Sequence, residues 1–280
     1  MAAVPQVRYR RVAAELQRLR EAKNLSAQDV VAAVPGMHLV KLSRYENARV
    51  QLKPDVVKSL LDFYECDPAL AEVLIGSLRG NRRPGWEANY DELNPLHHDL
   101  IRLEADAVSI RAYEAAYVPG LLQTRRYAHA VISSGISKTP SIEARVEVRL
   151  NRQAVLTRAE SPLKLVAVIH ESALTMKAPD GVMADQLDRL LQWSEMPNIT
   201  ILVMPAYAPP HPGQTGAYTL LEFEQRALDL VLVGGLLGSS WVEEATHVDL
   251  FRTAFDEIMA TALDLGDTRN LIREKRDQLK

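Results

Sequence analysis

Residues 25–47, LSAQDVVAAVPGMHLVKLSRYEN, decide the fold of the amino-terminal part of this 280-residue chain. Ser26 is placed to cap a short helix, because its hydroxyl can accept from a backbone N–H that the helix leaves free. Pro35-Gly36 ends that helix and predicts a tight turn. A further helix is predicted from Met37, with apolar residues at helical spacing. Two short helices joined by a tight turn therefore predict a helix-turn-helix module.

Helical patterns continue on both sides of this stretch. An apolar spacing from Val12 to Leu19 predicts a helix before it. Pro54 suits the first turn of a helix after it, and Asp67-Pro68 begins another. The first 80 residues are therefore expected to form an all-α bundle of short helices.

Charge is distributed unevenly along the chain. The 33 Lys and Arg against 36 Asp and Glu give a formal net charge of −3. Residues 1–84 hold 14 basic and 9 acidic residues (+5), whereas residues 85–280 hold 19 and 27 (−8). Such asymmetry indicates nucleic-acid binding by the basic part. We expect a DNA-binding-like domain over 1–80, a linker over 81–95 and a second domain over 96–280.

The second domain mixes helices and strands. A long helix is expected over about 96–113. Strand-like runs occur at residues 165–169, 199–204, 218–223 and 229–233. A helical pattern at 182–195 separates the first two runs and favours their parallel pairing, while the close spacing of the last two favours an antiparallel hairpin. The fold class is α+β: a helical module joined to a larger mixed α/β domain with a small sheet.

The amino-terminal module resembles the helix-turn-helix domain of the xenobiotic-response-element and phage-repressor type. The residues that carry the resemblance are Arg18-Leu-Arg-Glu21, Leu25-Ser26, Lys41-Leu-Ser-Arg-Tyr-Glu-Asn47, Arg49 and Pro54-Asp55-Val56. The resemblance implies that the third helix lies in the major groove of double-stranded DNA. The DNA-binding residues that it implies are Lys41, Ser43, Arg44, Arg49 and Lys53, with Leu39 and Val40.

Several positions depart from the pattern of that family. Leu39 and Val40 stand where polar residues are usual, and their only direct readout of DNA is apolar contact with thymine methyl groups. Ala27 replaces a glutamine, Ala48 replaces a glycine and Lys53 replaces a serine cap. These departures leave a second interpretation open, in which a regulator-like protein is repurposed as a small-molecule-binding protein or biosynthetic enzyme with its site in the C-terminal domain.

The C-terminal domain resembles that of actinobacterial regulators related to WhiJ. The motifs that carry the resemblance are residues 118–128 (VPGLLQTRRYA), 149–153 (RLNRQ), 170–174 (HESAL), 185–191 (DQLDRLL) and 197–205 (PNITILVMP). The resemblance implies a transcriptional regulator, in some cases antitoxin-like, often encoded beside a small acidic partner protein. We expect a cytoplasmic homodimer that binds DNA and whose large domain senses a small molecule or a small protein partner.

Two groups of residues in the C-terminal domain are candidate sites. Arg145, Arg149 and Arg152 share one helix face, which suits an acidic partner or an anionic ligand; the alternative is a solvated face paired with Glu143 and Glu147. The second group surrounds the end of a predicted strand, where α/β domains place site residues. The ligand-binding or alternative catalytic candidates in that group are Tyr113, Tyr117, His170, Glu171, Tyr207 and His211.

Other chemistries find little support in the sequence. A single cysteine, Cys66, excludes an internal disulfide and a cysteine-rich zinc site. No metal-binding helix motif, phosphate-cradling glycine loop or serine-nucleophile elbow occurs, so we expect no metal and no cofactor, and we favour a non-enzyme. No apolar run approaches the roughly 18 residues that span a bilayer, and the start of the sequence has no signal pattern. We therefore expect no membrane partner.

Overall fold

A computed structural model describes residues 7–79, 95–135, 141–235 and 238–279. The chain forms two compact units, Met1–Ala88 and Asn89–Lys280. Of the expected linker, residues 81–94 lie outside the described residues. The domain boundaries drawn from the sequence therefore stay predictions. None of the described helices is long and apolar enough to cross a membrane.

Five helices form the described part of the first unit. They are α1 Val7–Ala22, α2 Ala27–Ala33, α3 Leu39–Glu46, α4 Pro54–Phe63 and α5 Pro68–Arg79. The predicted cap is confirmed, since the Ser26 hydroxyl accepts from the Asp29 amide and the Asp29 carboxylate accepts from the Ser26 amide. Each contact satisfies a backbone N–H that α2 leaves free. Pro54 occupies the first turn of α4, as predicted.

The second unit is built on a six-stranded mixed sheet in the order β3-β2-β1-β4-β5-β6. The strands are β1 Ser109–Glu114, β2 Lys164–His170, β3 Ile199–Met204, β4 Tyr218–Glu222, β5 Leu230–Gly235 and β6 Gly238–Val242. β1, β2 and β3 are parallel, whereas β4, β5 and β6 pair antiparallel. The predicted parallel pair and the predicted hairpin are both confirmed.

One expected helix is shorter than predicted. The helix predicted over 96–113 ends at Asp106, and the central strand β1 follows it. Ile110, Ala112 and Tyr113 are all buried, because β1 is covered on both faces. The strand sequence SIRAYE follows α6 with no glycine or proline between them, so the sequence contains no signal that ends the helix at Asp106. With β6, also not predicted, β1 makes the sheet larger than expected.

Helices surround this sheet. They are α6 Pro95–Asp106, α7 Arg125–Ser133, α8 Ile142–Arg152, α9 Ala154–Thr157, α10 Val182–Trp193, α11 Ala245–Thr261 and α12 Leu265–Asp277. Phe255 and Ile258 of α11 pack on Tyr113, Val168 and Tyr218 from the sheet. This contact forms one core face. Because side chains alternate along a strand, Glu114 points to the opposite face from Tyr113.

Candidate functional site

Helix α3 separates its residues into an inner and an outer face. Leu42 and Tyr45 are buried, whereas Leu39 and Val40 keep 49% and 58% of their surface exposed. Ser43 and Arg44 are also exposed. The structure therefore brings the sequence-predicted contact residues of this helix together on its solvent side.

An internal ion pair fixes α3 on α1. Nε of Arg20 lies 2.7 Å from one Glu46 oxygen and Nη2 lies 3.1 Å from the other, while Nη1 donates to the Leu25 carbonyl at 2.9 Å. The two charged side chains are mostly buried. Glu46 is the single carboxylate in residues 38–54. Because Arg20 neutralises it, the solvent side of this segment carries positive charge without a competing acid.

The cationic side chains around α3 differ in what they contact. The Lys41 ammonium donates to the Gly36 carbonyl at 3.0 Å and so holds the turn before α3. Arg44, Arg49 and Lys53 are exposed, and within residues 7–79 their side chains make no hydrogen bond or ion pair with another described residue. These three charges are available to an external anion.

The turn after α3 keeps the backbone geometry of a glycine. Ala48 has φ of 48°, in the left-handed region, and is buried. Asn47 stabilises the helix end, since its side-chain amide donates to the Ser43 carbonyl at 2.7 Å. A left-handed conformation costs a non-glycine residue about 1–2 kcal/mol. The turn therefore tolerates the replacement of glycine by alanine at a cost in stability.

His38 begins α3 and is absent from the sequence-based candidates. Its Nδ1 accepts from the Lys41 amide at 3.2 Å, which directs the Nε2–H of the exposed ring away from the helix. Histidine is not among the preferred cap residues, so residue type alone does not predict this role. The side chain adds a hydrogen-bond donor beside Leu39.

In the second unit, three of the predicted residues lie together. The Tyr113 ring is buried and meets the His211 ring edge-on, with centroids 5.9 Å apart. A Cβ at Gly213 would lie 2.6 Å from Cζ of Tyr113, so the loop packs closely on that ring only because residue 213 is glycine. Burial, and then the charge of His170, lower the pKa of His211. The Ser172 amide donates to Nδ1 of His170 at 3.2 Å.

The other three members of that group have different surroundings. Glu171 accepts from the Ala206 amide at 3.0 Å and pairs with Lys275 at 2.9 Å. The Ala206 amide contributes most to lowering the pKa of Glu171, followed by Lys275. Tyr117 and Tyr207 are exposed. In the described part of the chain, no group of three or more His, Cys, Asp or Glu side chains is arranged to hold a metal ion.

The three arginines of α8 do not share one environment. Arg152 is paired with Glu104 through two contacts of 2.7 and 2.6 Å, and both side chains are buried. Arg149 donates through Nη1 to the Gln123 side chain at 2.9 Å. The glutamates expected to neutralise these arginines pair elsewhere: Glu147 with Arg125 and Glu143 with His129.

The turn over residues 118–124 is held by the polar residues of the sequence motifs. Hydrogen bonds join Gln123 to the Val118 carbonyl (2.7 Å), Gln153 to the Gln123 carbonyl (2.6 Å), Gln186 to the Leu122 carbonyl (2.9 Å) and the Val118 amide to the Tyr127 hydroxyl (3.1 Å). Buried backbone groups require such partners. Polar residues from three of the sequence motifs, 118–128, 149–153 and 185–191, therefore act together to hold one turn.

Glu114 ends β1 beside this turn and is also absent from the sequence-based candidates. Burial raises the pKa of its carboxyl to about 7, and the nearby charge of Arg149 opposes that rise. Burial, together with the charges of Arg152 and Arg145, lowers the pKa of Arg149 to about 10. Burial therefore disfavours the charged forms of both Glu114 and Arg149, which lie near the end of β1.

Each of the two units matches a known protein family. Residues 11–74 match a family described as a helix-turn-helix domain, which indicates a DNA-binding regulator. Residues 97–274, more than half of the chain, match the family described as a domain of unknown function, DUF5753. The chain belongs to the DUF5753 family and joins that domain to a helix-turn-helix domain. No curated protein matches its sequence.

Proposed function

We propose that this protein is a transcriptional regulator that binds double-stranded DNA as a homodimer, with α3 in the major groove. The observation that carries the proposal is the solvent side of residues 38–54, where the exposed cations have no competing carboxylate because Arg20 binds Glu46. Phosphate neutralisation supplies a large share of the affinity of such proteins for DNA. The cationic solvent side of α3 and of the turn after it supports this function.

The proposed roles follow from exposure and chemistry. Arg44 forks onto a guanine edge, and Ser43 contacts a base or the backbone. Lys41, Arg49 and Lys53 neutralise phosphates and set the position of the helix on the duplex. Their exposed or half-buried positions around α3 support these assignments.

Leu39 and Val40 give the proposal its sequence preference. Both side chains are exposed at the start of α3 and have no polar atom. The one apolar group that a base presents in the major groove is the thymine methyl group. We therefore propose that these two residues select sites containing thymine.

Selection from a random duplex library by the full chain tests this function. A site with thymine and guanine in each half is expected, with an affinity that falls steeply as salt rises. Replacing the selected thymines by deoxyuridine should weaken wild-type binding about fivefold per methyl contact, and leave the Leu39→Ala, Val40→Ala double variant unaffected. If no duplex is enriched at low salt, the proposed function is wrong.

The large unit is proposed to sense a small molecule or a small protein partner, as the resemblance to WhiJ-related regulators suggests. A repurposed enzyme would need Tyr113, His170, Glu171 and His211 to line a common pocket. Tyr113 is instead packed under the loop, and Glu171 is bound by Lys275 and Ala206. A groove of 680 Å³ in this unit is lined by other residues, from β3 and the α11–α12 connection. These observations favour a regulator over an enzyme.

A further inference from the structure

Glu114 has a carboxyl group with no evident structural use. Its side chain makes no hydrogen bond or ion pair with any residue of the described ranges, although it is mostly buried. Other buried acids of this unit are bound: Glu104 by Arg152 and Asp229 by Arg252. Burying a carboxylate without a donor is unfavourable. Glu114 is thus a mostly buried acid without a hydrogen-bonding partner among the described residues.

The position of Glu114 is one where sheets of this kind bind ligands. β1, β2 and β3 are parallel, so their carboxyl ends meet at one edge. Ligands of open α/β sheets bind outside the carboxyl ends of the strands. Glu114 is the last residue of β1 and retains some exposed surface, so solutes can reach it.

Arg149 supplies the opposite charge at the same place. Among the described residues, its guanidinium donates one hydrogen bond, from Nη1 to Gln123, out of the five N–H donors that an arginine has. Its charge acts on Glu114, yet no ion pair joins the two side chains. The glutamine network that fixes the 118–124 turn also fixes Arg149 through Gln123. The Arg149 guanidinium is therefore held in place by Gln123, and its other N–H groups can donate to a ligand.

The surroundings favour an anion. The titratable groups that face this place are Arg145, Arg149 and Arg152 from α8, Glu104 and His97 from α6, Tyr127 from α7 and Tyr117 from the turn. Arg152 and Glu104 neutralise each other. Burial lowers the pKa of His97 to about 4, so it is neutral. Arg149 therefore supplies positive charge beside Glu114, and protonation of Glu114 removes the negative charge that an anion would meet.

We propose that Glu114 and Arg149 bind a small carboxylate anion together with one proton. The anion accepts hydrogen bonds from the guanidinium of Arg149, which matches carboxylate geometry. Glu114 in its acid form donates its proton to the anion, since two carboxyl groups at one site share a proton rather than both ionise. As the ligand class of the large unit, this inference rests on the sensing role proposed above, but not on DNA binding.

Proton uptake makes the affinity depend on pH. The raised pKa of Glu114, about 7, means that the acid form predominates at pH 6 and the ionised form at pH 8. The binding-competent acid form is roughly tenfold more populated at pH 6 than at pH 8, so affinity should be about tenfold higher at pH 6. Above the pKa the affinity falls because the anion then meets a second negative charge.

Titration of the full chain with sodium acetate tests the inference, with sodium chloride of equal ionic strength as reference. Amide chemical shifts around residues 114–123 should respond saturably to acetate, with a Kd about tenfold lower at pH 6 than at pH 8. Glu114→Gln donates without titrating, so its Kd should be equal at the two pH values. Arg149→Gln should abolish the response. Arg125→Gln, which removes an exposed arginine paired with Glu147, should behave as wild type.

Two results would overturn the inference. One is the lack of a saturable response of the wild type to acetate at pH 6. The other is a tenfold pH dependence that persists in Glu114→Gln. If Arg149→Gln does not fold, the comparison of wild type with Glu114→Gln still decides. Because no DNA is present, failure here leaves the proposed DNA binding standing, and failure of duplex selection leaves this test unaffected.

Discussion

Helix α8, and helix α3 together with the turn after it, both carry arginines, but the two regions use them differently. On α3 and the turn after it, Arg44 and Arg49 contact no acidic partner among the described residues. On α8, Arg152 is bound by Glu104 and Arg149 is bound by Gln123. The comparison teaches that several basic residues on one surface predict a binding site for a partner only where the protein itself supplies no acid or carbonyl group to bind them.

The reason for the difference lies in the neighbouring acids. In the first unit, Arg20 binds Glu46, the one carboxylate of α3, so that Glu46 does not pair with the outer cations. In the second unit, carboxylates lie on the elements that face the arginines, as with Arg252 between Glu222 and Asp229. There these paired arginines stabilise the fold, whereas Arg149, with one hydrogen bond to Gln123 among the described residues, keeps donors for a ligand.

Arg152→Ala gives the largest expected effect and tests the internal role of α8. Removing the guanidinium leaves Glu104 buried without its partner, which should lower the free energy of unfolding by about 3–5 kcal/mol. Arg125→Ala, which breaks the solvent-exposed pair with Glu147, should lower it far less, because solvent screens that pair. Urea denaturation of the two variants measures both values. An equal decrease in the free energy of unfolding in both variants would show that Arg152 stabilises the fold no more than the exposed Arg125 does.

Lys53→Gln tests the outer role of the first unit. Loss of one phosphate contact should reduce the slope of log Kd against log salt by about 0.9. Lys58 is a matched control, because its ammonium pairs with Asp62 at 2.7 Å on α4. Binding titrations at several salt concentrations measure the slopes. A Lys58→Gln variant that lowers the slope as much as Lys53→Gln would contradict the proposed position of the interface.

Ala48→Gly should produce the smallest effect, with the opposite sign. Glycine adopts the φ of 48° without strain, so the free energy of unfolding should rise by up to about 1 kcal/mol. The same change at Ala14, an exposed position inside α1, should lower it by about 1 kcal/mol. Thermal unfolding of the two variants checks the contrast. A loss of stability at both positions would mean that the turn after α3 carries no strain.

Local features of both units follow from the sequence. Ser26 and Pro54 mark helix starts where the structure has them, since caps and proline act within one turn of chain. The parallel pairing of β2 with β3 follows from the helix between them. β1 does not follow, because its burial comes from neighbours more than 50 residues away in the chain.

The candidate sites were predictable only in part. The exposed face of α3 follows from the helical spacing of Leu42 and Tyr45. The roles of Arg152 and Glu114 do not, because they depend on which side chain of another element lies opposite. Residue type and spacing predict that a charged side chain lies on a given helix face. Whether that side chain is free to bind a partner depends on which side chains the fold places next to it.

The binding of Arg44→Ala to the selected duplex tests DNA recognition by α3 most directly. Kd is measured by fluorescence anisotropy for wild type, Arg44→Ala and Arg18→Ala at one salt concentration. Arg18 is the control because it is exposed on α1 and pairs with Glu15 at 2.6 Å. Loss of the guanine contact should weaken Arg44→Ala about tenfold or more, with Arg18→Ala close to wild type. Wild-type affinity in Arg44→Ala, or an equal loss in both variants, would contradict recognition through α3.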